Sequence, residues 1–342
     1  MALILYPPTI DWSWMKQRPQ QLMQALARIG HTVIYCNATF SDKPPERIEE
    51  RLTVVHDHER WVAERWPTIR EGADRTIVWC THPQLASRLD VYGADATIYD
   101  CVDEFAEWLP YEPEMVARSN ALSCSSERLR RRLARAYPHK PLALIRNAYD
   151  TDMGLHRGAE RSGTAAGTES VKADGSTKTI GYVGAWAPWV DEALVRRIAR
   201  LSPAIEMVVI GPEFGRKQQA APGERIRFLG LQPHGKLAEL IDALDVCIIP
   251  FRLTPVTLST NPVKAYEYLA AGKPVVSTAL PECELLQPYI DIGQNHGQFL
   301  DRIIHRLDNP GDGAARTAAA LLNTWRHRAY EADALIREAS RA

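Results

Sequence analysis

Ser259-Thr-Asn-Pro-Val-Lys-Ala-Tyr-Glu-Tyr-Leu-Ala-Ala-Gly-Lys-Pro-Val-Val-Ser-Thr278 reads as a short helix, a stop, and then a buried strand. Asn261 is a good N-cap and Pro262 a good first helical residue. Gly272 ends the helix, and Pro274–Ser277 resumes an extended apolar run. A helix with so sharp a start presents free N–H groups and the positive end of its dipole, which suits a pyrophosphate. Lys264 and Glu267 are three residues apart and share one face. A cation one turn in can reach phosphate. A carboxylate further along can accept two hydrogen bonds from a ribose diol. The plainer alternative is an amphipathic helix with a surface Lys–Glu pair.

The same helix–strand alternation extends in both directions. Before the motif, Thr179–Gly184, Glu206–Ile210, Arg225–Leu229 and Asp245–Pro250 read as strands separated by helical patterns. Further back, Ala2–Tyr6, Thr32–Cys36, Thr53–His56, Thr76–Cys80, Thr97–Tyr99, Ala121–Cys124 and Leu142–Ile145 form another set. They are rich in Val, Ile, Leu and Tyr without strict alternation, as parallel strands covered on both faces are. Pro19–Ile29 is the clearest helix between them, with Leu22, Ala25, Leu26 and Ile29 on one stripe. From His156 to Lys178 the chain turns to small and polar residues that cannot bury a core.

These patterns predict an α/β protein with two Rossmann-like domains facing across a cleft. Residues 1–150 form the first domain, 151–178 a linker or insertion, and 179–325 the second domain. Residues 326–342 are a helix expected to pack back on the first domain. A length of 342 residues fits two cores better than one. Lys plus Arg (41) balances Asp plus Glu (42), which argues against a nucleic-acid partner. The six cysteines form no C-x-x-C pair, and four lie in or beside apolar runs, as small buried thiols do in a reducing compartment. Neither a signal peptide nor a membrane span is read from the sequence, so the expectation is a cytoplasmic protein.

The 259–278 stretch resembles the donor domain of the group 1 (family 4-like) glycosyltransferases, which carry a Glu-x7-Glu element followed by a small-residue helix end and a Pro-Val-Val strand. Glu267-Tyr-Leu-Ala-Ala-Gly-Lys-Pro-Val-Val276 matches the second half closely. Pro250-Phe-Arg252 followed by Asn261-Pro-Val-Lys264 is similar to the bacterial cell-surface polysaccharide branch. The resemblance implies that the fold is of the GT-B type, that Glu267 holds the donor ribose, and that N–H groups near Val263 and Lys264 hold the diphosphate. There is one departure: the position of the first Glu is Ser259.

Other candidates follow from position. Gly184, in Ile180-Gly-Tyr-Val-Gly184-Ala-Trp, lets backbone approach a phosphate. The family's Arg and Lys–Gly pair is missing after it, and Arg252 is a candidate replacement cation. Arg227 lies on the strand that the resemblance associates with the nucleobase. In the first domain His82 follows a strand, and the resemblance implies a hydrogen bond to the donor sugar. Asp103 is a candidate general base or acceptor-binding group, with a loop or capping carboxylate as the alternative. Trp12, Trp14 and Arg18 occupy an opening loop suited to sugar stacking and phosphate contact, or, for the tryptophans, to core packing. The Arg128–Lys140 stretch is either a solvated helix face or a patch for anionic lipid beside a membrane-bound acceptor.

The resulting expectation is a glycosyltransferase moving a hexose from a nucleotide diphospho-sugar to a hydroxyl of a glycan or lipid-linked acceptor. Neither a metal nor another cofactor is expected. The rival readings are a UDP-sugar 2-epimerase of the same fold and a non-catalytic sugar-nucleotide-binding partner subunit.

Overall fold

A computed structural model describes residues 1–161 and 177–340. The chain divides into two units. The first takes Met1–Asn147, Ser259–Asn261 and the C-terminal segment from Trp325; the second takes Ala148–Leu258 and Pro262–Thr324.

The first unit holds β1 (Leu3–Tyr6), β2 (Thr32–Cys36), β3 (Glu46–Glu49), β4 (Leu52–Val55), β5 (Thr76–Cys80), β6 (Ala96–Cys101), β7 (Ala121–Cys124) and β8 (Leu142–Leu144). They lie in the order β3-β4-β2-β1-β5-β6-β7-β8, parallel except for the β3–β4 pair. The strand order reverses at β1, between β2 and β5, so the loops after β1 and β5 leave on either side of a topological switch point. Helix Arg18–Arg28 buries Leu22, Ala25 and Leu26. Helix Trp325–Ala339 packs on it and on the β6–β8 side of the sheet. The C-terminal helix therefore belongs with the first unit, as expected from the sequence.

The second unit holds β9 (Lys178–Val183), β10 (Ile205–Ile210), β11 (Ile226–Phe228), β12 (Val246–Ile249), β13 (Val275–Thr278) and β14 (Asp291–Gly293). Their order is β11-β10-β9-β12-β13-β14, all parallel. Ile180, Tyr182, Val208, Ile248 and Val276 are fully buried in this sheet. Burial on both faces is why these strands read as continuous apolar runs.

The structure differs from the sequence reading at several points. β3 and β14 were not expected, since one is polar and the other only three residues long. The tail is two helices, Gly313–Leu321 and Trp325–Ala339. Between them Asn323 O accepts from the Tyr149 N–H at 2.8 Å. The second unit begins at Ala148 rather than after a linker, and Tyr149 and Leu155 lie in its core. Most of the expected spacer, residues 162–176, lies outside the described residues. Among the described residues no helix is long and apolar enough to cross a membrane. All six cysteines are buried free thiols.

Candidate functional site

In the second unit the candidate groups gather at the C-terminal ends of β9 and β12. Helix Val263–Ala270 starts one residue later than expected, with Pro262 rather than Asn261 as its N-cap. The Asn261 side chain works in the first unit instead, where its Oδ1 accepts from the Asn147 N–H at 2.8 Å. The N–H groups of Val263 and Lys264 are first-turn donors with no helical carbonyl behind them. The Tyr268 hydroxyl accepts from the Val183 N–H at 2.7 Å and fixes this helix against the end of β9.

Lys264 projects toward that strand end. Its Nζ lies 5.3 Å from the Tyr182 ring centre and 4.8 Å from that of Phe251. Both rings present their electron-rich faces to the cation. Burial pushes the Lys264 ammonium down to about 8, against the opposing charge of Glu267. Glu267, one turn on, is 8% exposed. Gly184 has φ +144°, and the backbone around it is tight: a Cβ on the neighbouring Gly211 would meet the Gly184 carbonyl oxygen at 2.1 Å. A half-buried cation, a carboxylate and first-turn N–H groups are thus brought together where phosphates bind in such sheets.

Two second-unit candidates have other surroundings. Arg252 is exposed, and its N–H donates to the Trp189 carbonyl at 2.8 Å. Arg227 pairs across strands with Glu206 at 3.0 Å. The guanidinium thus serves the β10–β11 edge, while the expected nucleobase contact concerned the backbone of this strand.

In the first unit His82 follows β5 and Asp103 follows β6. The His82 ring stands edge-on to Trp108 at 5.0 Å, and burial lowers its pKa, so the imidazole is neutral near pH 7. Burial pushes the Asp103 carboxyl up to about 7, opposed by a hydrogen bond from Thr260 and by the charge of Arg18. Next to it, Glu104 Oε2 accepts from Ser259 Oγ at 2.5 Å, and Arg128 Nε donates to the same hydroxyl at 3.1 Å. Ser259 is fully buried in this contact.

Trp12 packs edge-on to Tyr35 at 5.1 Å, while Trp14 is 48% exposed. Arg18 is not a phosphate-loop residue. It is 4% exposed and grips both Asp100 carboxylate oxygens at 2.8 Å. It also donates to the Ile145 carbonyl at 2.7 Å and to Asn147 Oδ1 at 3.2 Å. The basic helix likewise resolves into internal pairs. Arg130 and Arg131 meet Glu127, Arg132 meets Glu112, and Lys140 donates to the Ser119 carbonyl. Arg131 and Arg128 nevertheless remain largely exposed, as on a solvated helix face. A hollow of about 480 Å³ lined by His31, Arg75, Tyr330 and Asp333 opens at the opposite end of the sheet, where β1, β2 and β5 begin. The candidate residues lie away from it. Among the described residues no group of three His, Cys, Asp or Glu side chains is placed to hold a metal.

Sequence reasoning left out Tyr182, Phe251, Thr260 and Glu104. Tyr182 and Phe251 flank motifs that were read, so aromatic neighbours of the candidate lysine were a usable signal. Thr260 meets Asp103, and Glu104 meets Ser259 across 155 positions of sequence, and no local pattern marks either contact.

Residues 177–320 match the family described as glycosyl transferases group 1. A putative teichuronic acid biosynthesis glycosyltransferase of Bacillus subtilis is 23% identical over 240 residues. That match takes in 64% of this chain and 59% of the relative, so the chain spans about three fifths of the length of the relative it matches. A sucrose-phosphate synthase from Thermosynechococcus elongatus superposes with a TM-score of 0.72 at 15% identity, covering 98% of both chains. HepE from Anabaena, described in complex with UDP and glucose, gives 0.66 at 12% identity over 98% of this chain and 99% of that one. At such identities these structures speak for the fold alone. Residues 177–320 are thus similar to the group 1 glycosyl transferases, and the chain as a whole has the two-domain GT-B fold.

Proposed function

We propose that this glycosyltransferase moves a sugar from a nucleoside diphospho-sugar to a hydroxyl of a glycan or lipid-linked acceptor in cell-surface polysaccharide synthesis. The observation that carries the reading is Lys264. Its ammonium is held against Gly184 at the start of a helix, with the buried Glu267 one turn further. The ammonium and first-turn N–H groups offset the charge of the departing diphosphate, so the reaction needs no protein-held metal. Glu267 accepts from the ribose hydroxyls. Neutral His82 orients the donor sugar. Asp103, with a carboxyl near neutrality, takes the acceptor proton or binds the acceptor. The name of the Bacillus subtilis relative supports a surface polymer as the destination.

The test is release of nucleoside diphosphate from UDP-, GDP-, dTDP- and ADP-sugars, with calorimetry on the nucleotides. Wild type is expected to bind one nucleotide series and turn its sugar over slowly even without acceptor. Glu267→Ala is expected to lose at least tenfold in affinity. Wild-type affinity in that variant removes the ribose role, and a wild type that binds none of the four series removes the reading.

A further inference from the structure

We propose that Trp189 and Phe214 form a stacking platform for a ring of the bound nucleotide sugar, beside the diphosphate seat; this rests on the donor-site reading above. Their rings stand 5.5 Å apart with a 42° tilt. Phe214 is 57% exposed and Trp189 is partly exposed. Such side chains usually spend their large apolar area in a core or against a partner.

The loops that carry them are firmly built. Trp186 fills the space beneath, fully buried and edge-on to Phe228 at 5.4 Å. Its N–H donates to the Pro212 carbonyl at 2.8 Å, its carbonyl accepts from the Phe214 N–H at 3.0 Å, and its indole donates to the Lys217 carbonyl at 3.1 Å. Trp186 thus fills the core, Trp189 packs partly against it, and Phe214 is left at the surface on a fixed frame.

Their position gives the chemistry. The Trp189 side chain lies beside the Tyr182 hydroxyl, which donates to the Ala185 carbonyl at 3.0 Å, and the Tyr182 ring lies under the Lys264 ammonium. One phenol side chain thus separates the platform from the cation. The Arg252 N–H, donating to the Trp189 carbonyl, brings in a third loop. These loops leave the C-terminal ends of β9, β10 and β12, three adjacent strands. Aromatic faces stack on nucleobases and on the apolar faces of sugars. A ring attached to a diphosphate satisfies the platform and the cation together.

The test is calorimetry with UDP, GDP, dTDP and ADP, each alone and as its glucose conjugate, on wild type, Trp189→Ala, Trp189→Phe and Phe214→Ala. Melting temperatures report folding. For the series that wild type binds, Trp189→Ala is expected to lose at least tenfold, Phe214→Ala severalfold, and Trp189→Phe least. Loss of equal size with and without the glucose assigns the platform to the nucleobase; loss confined to the conjugate assigns it to the sugar. Either result supports the proposal. Wild-type affinities in the folded alanine variants overturn the platform and leave the donor seat standing. If Trp189→Ala does not fold, Phe214→Ala decides. Absence of binding by wild type overturns the donor reading and the platform with it.

Discussion

A methyl group on Gly184 would stand 3.0 Å from both Cε and Nζ of Lys264 and 2.9 Å from the Tyr182 hydroxyl. The glycine is thus the space in which the lysine head sits. Its φ of +144° is one that residues with a side chain rarely adopt. Gly184→Ala is therefore expected to displace the ammonium and strain the turn after β9. Nucleoside diphosphate affinity should fall at least tenfold while the fold persists. Undiminished affinity by calorimetry would refute the arrangement.

Lys264 also makes binding and stability pull in opposite directions. Its ammonium titrates at about 8 in the folded chain against an ordinary 10.5. Between those values the unfolded chain holds more protons here, so stability rises with pH through that window. Below about pH 8 the full cost of the buried charge is present. Lys264→Met should therefore stabilise the protein at pH 7 by about 1–3 kcal/mol, a gain that disappears above pH 10.5. The same variant should bind nucleoside diphosphate at least tenfold more weakly, and wild-type binding should weaken as pH rises through 8. Thermal unfolding and calorimetry across pH 6–10 check both halves. A destabilised Lys264→Met at pH 7 contradicts the first.

In the first unit, the Asp103 carboxyl near 7 sets an expected pH profile. If Asp103 removes the acceptor proton, kcat/KM rises as it ionises and levels off above that value. The Thr260 hydroxyl favours the ionised form, so Thr260→Val should move the rise to higher pH. Asp103→Asn should remove the rise and cost about 10²–10⁴ in rate. An unchanged profile in both variants would take Asp103 out of the proton transfer.

Much of the fold was legible because its strands are covered on both faces. Runs such as Thr32–Cys36 and Thr76–Cys80 recur in the structure with the same limits. What was hidden depended on partners distant in sequence. Asn261 looks like a cap locally, yet Asn147 claims its side chain from 114 positions away. Arg18 and Asp100 are separated by 82 positions, so nothing near Arg18 distinguishes a buried ion pair from a phosphate contact. The arginines of 128–132 keep solvent exposure, as a solvated face does, while the pairing of Arg132 with Glu112, 20 positions away, has no local mark. Lys264 and Glu267 were legible because helical spacing puts them on one face and the surrounding residues resemble a family signature.

The Arg18–Asp100 pair gives the sharpest separation of structure from function. Asp100 also accepts from Trp79 Nε1 at 3.2 Å and from Ser123 Oγ at 2.7 Å, so its carboxylate is satisfied from several sides. Removing either ion leaves the other buried without its charge partner, a loss of about 3–5 kcal/mol. Arg18→Ala and Asp100→Ala should each lower the melting temperature by many degrees. An apolar double variant, Arg18→Met with Asp100→Leu, should be less damaging than the two single losses added together, because neither charge is stranded. At temperatures where the variants remain folded, nucleoside diphosphate affinity should equal that of wild type. A selective loss of nucleotide binding without loss of stability would return Arg18 to the phosphate site and overturn its structural assignment.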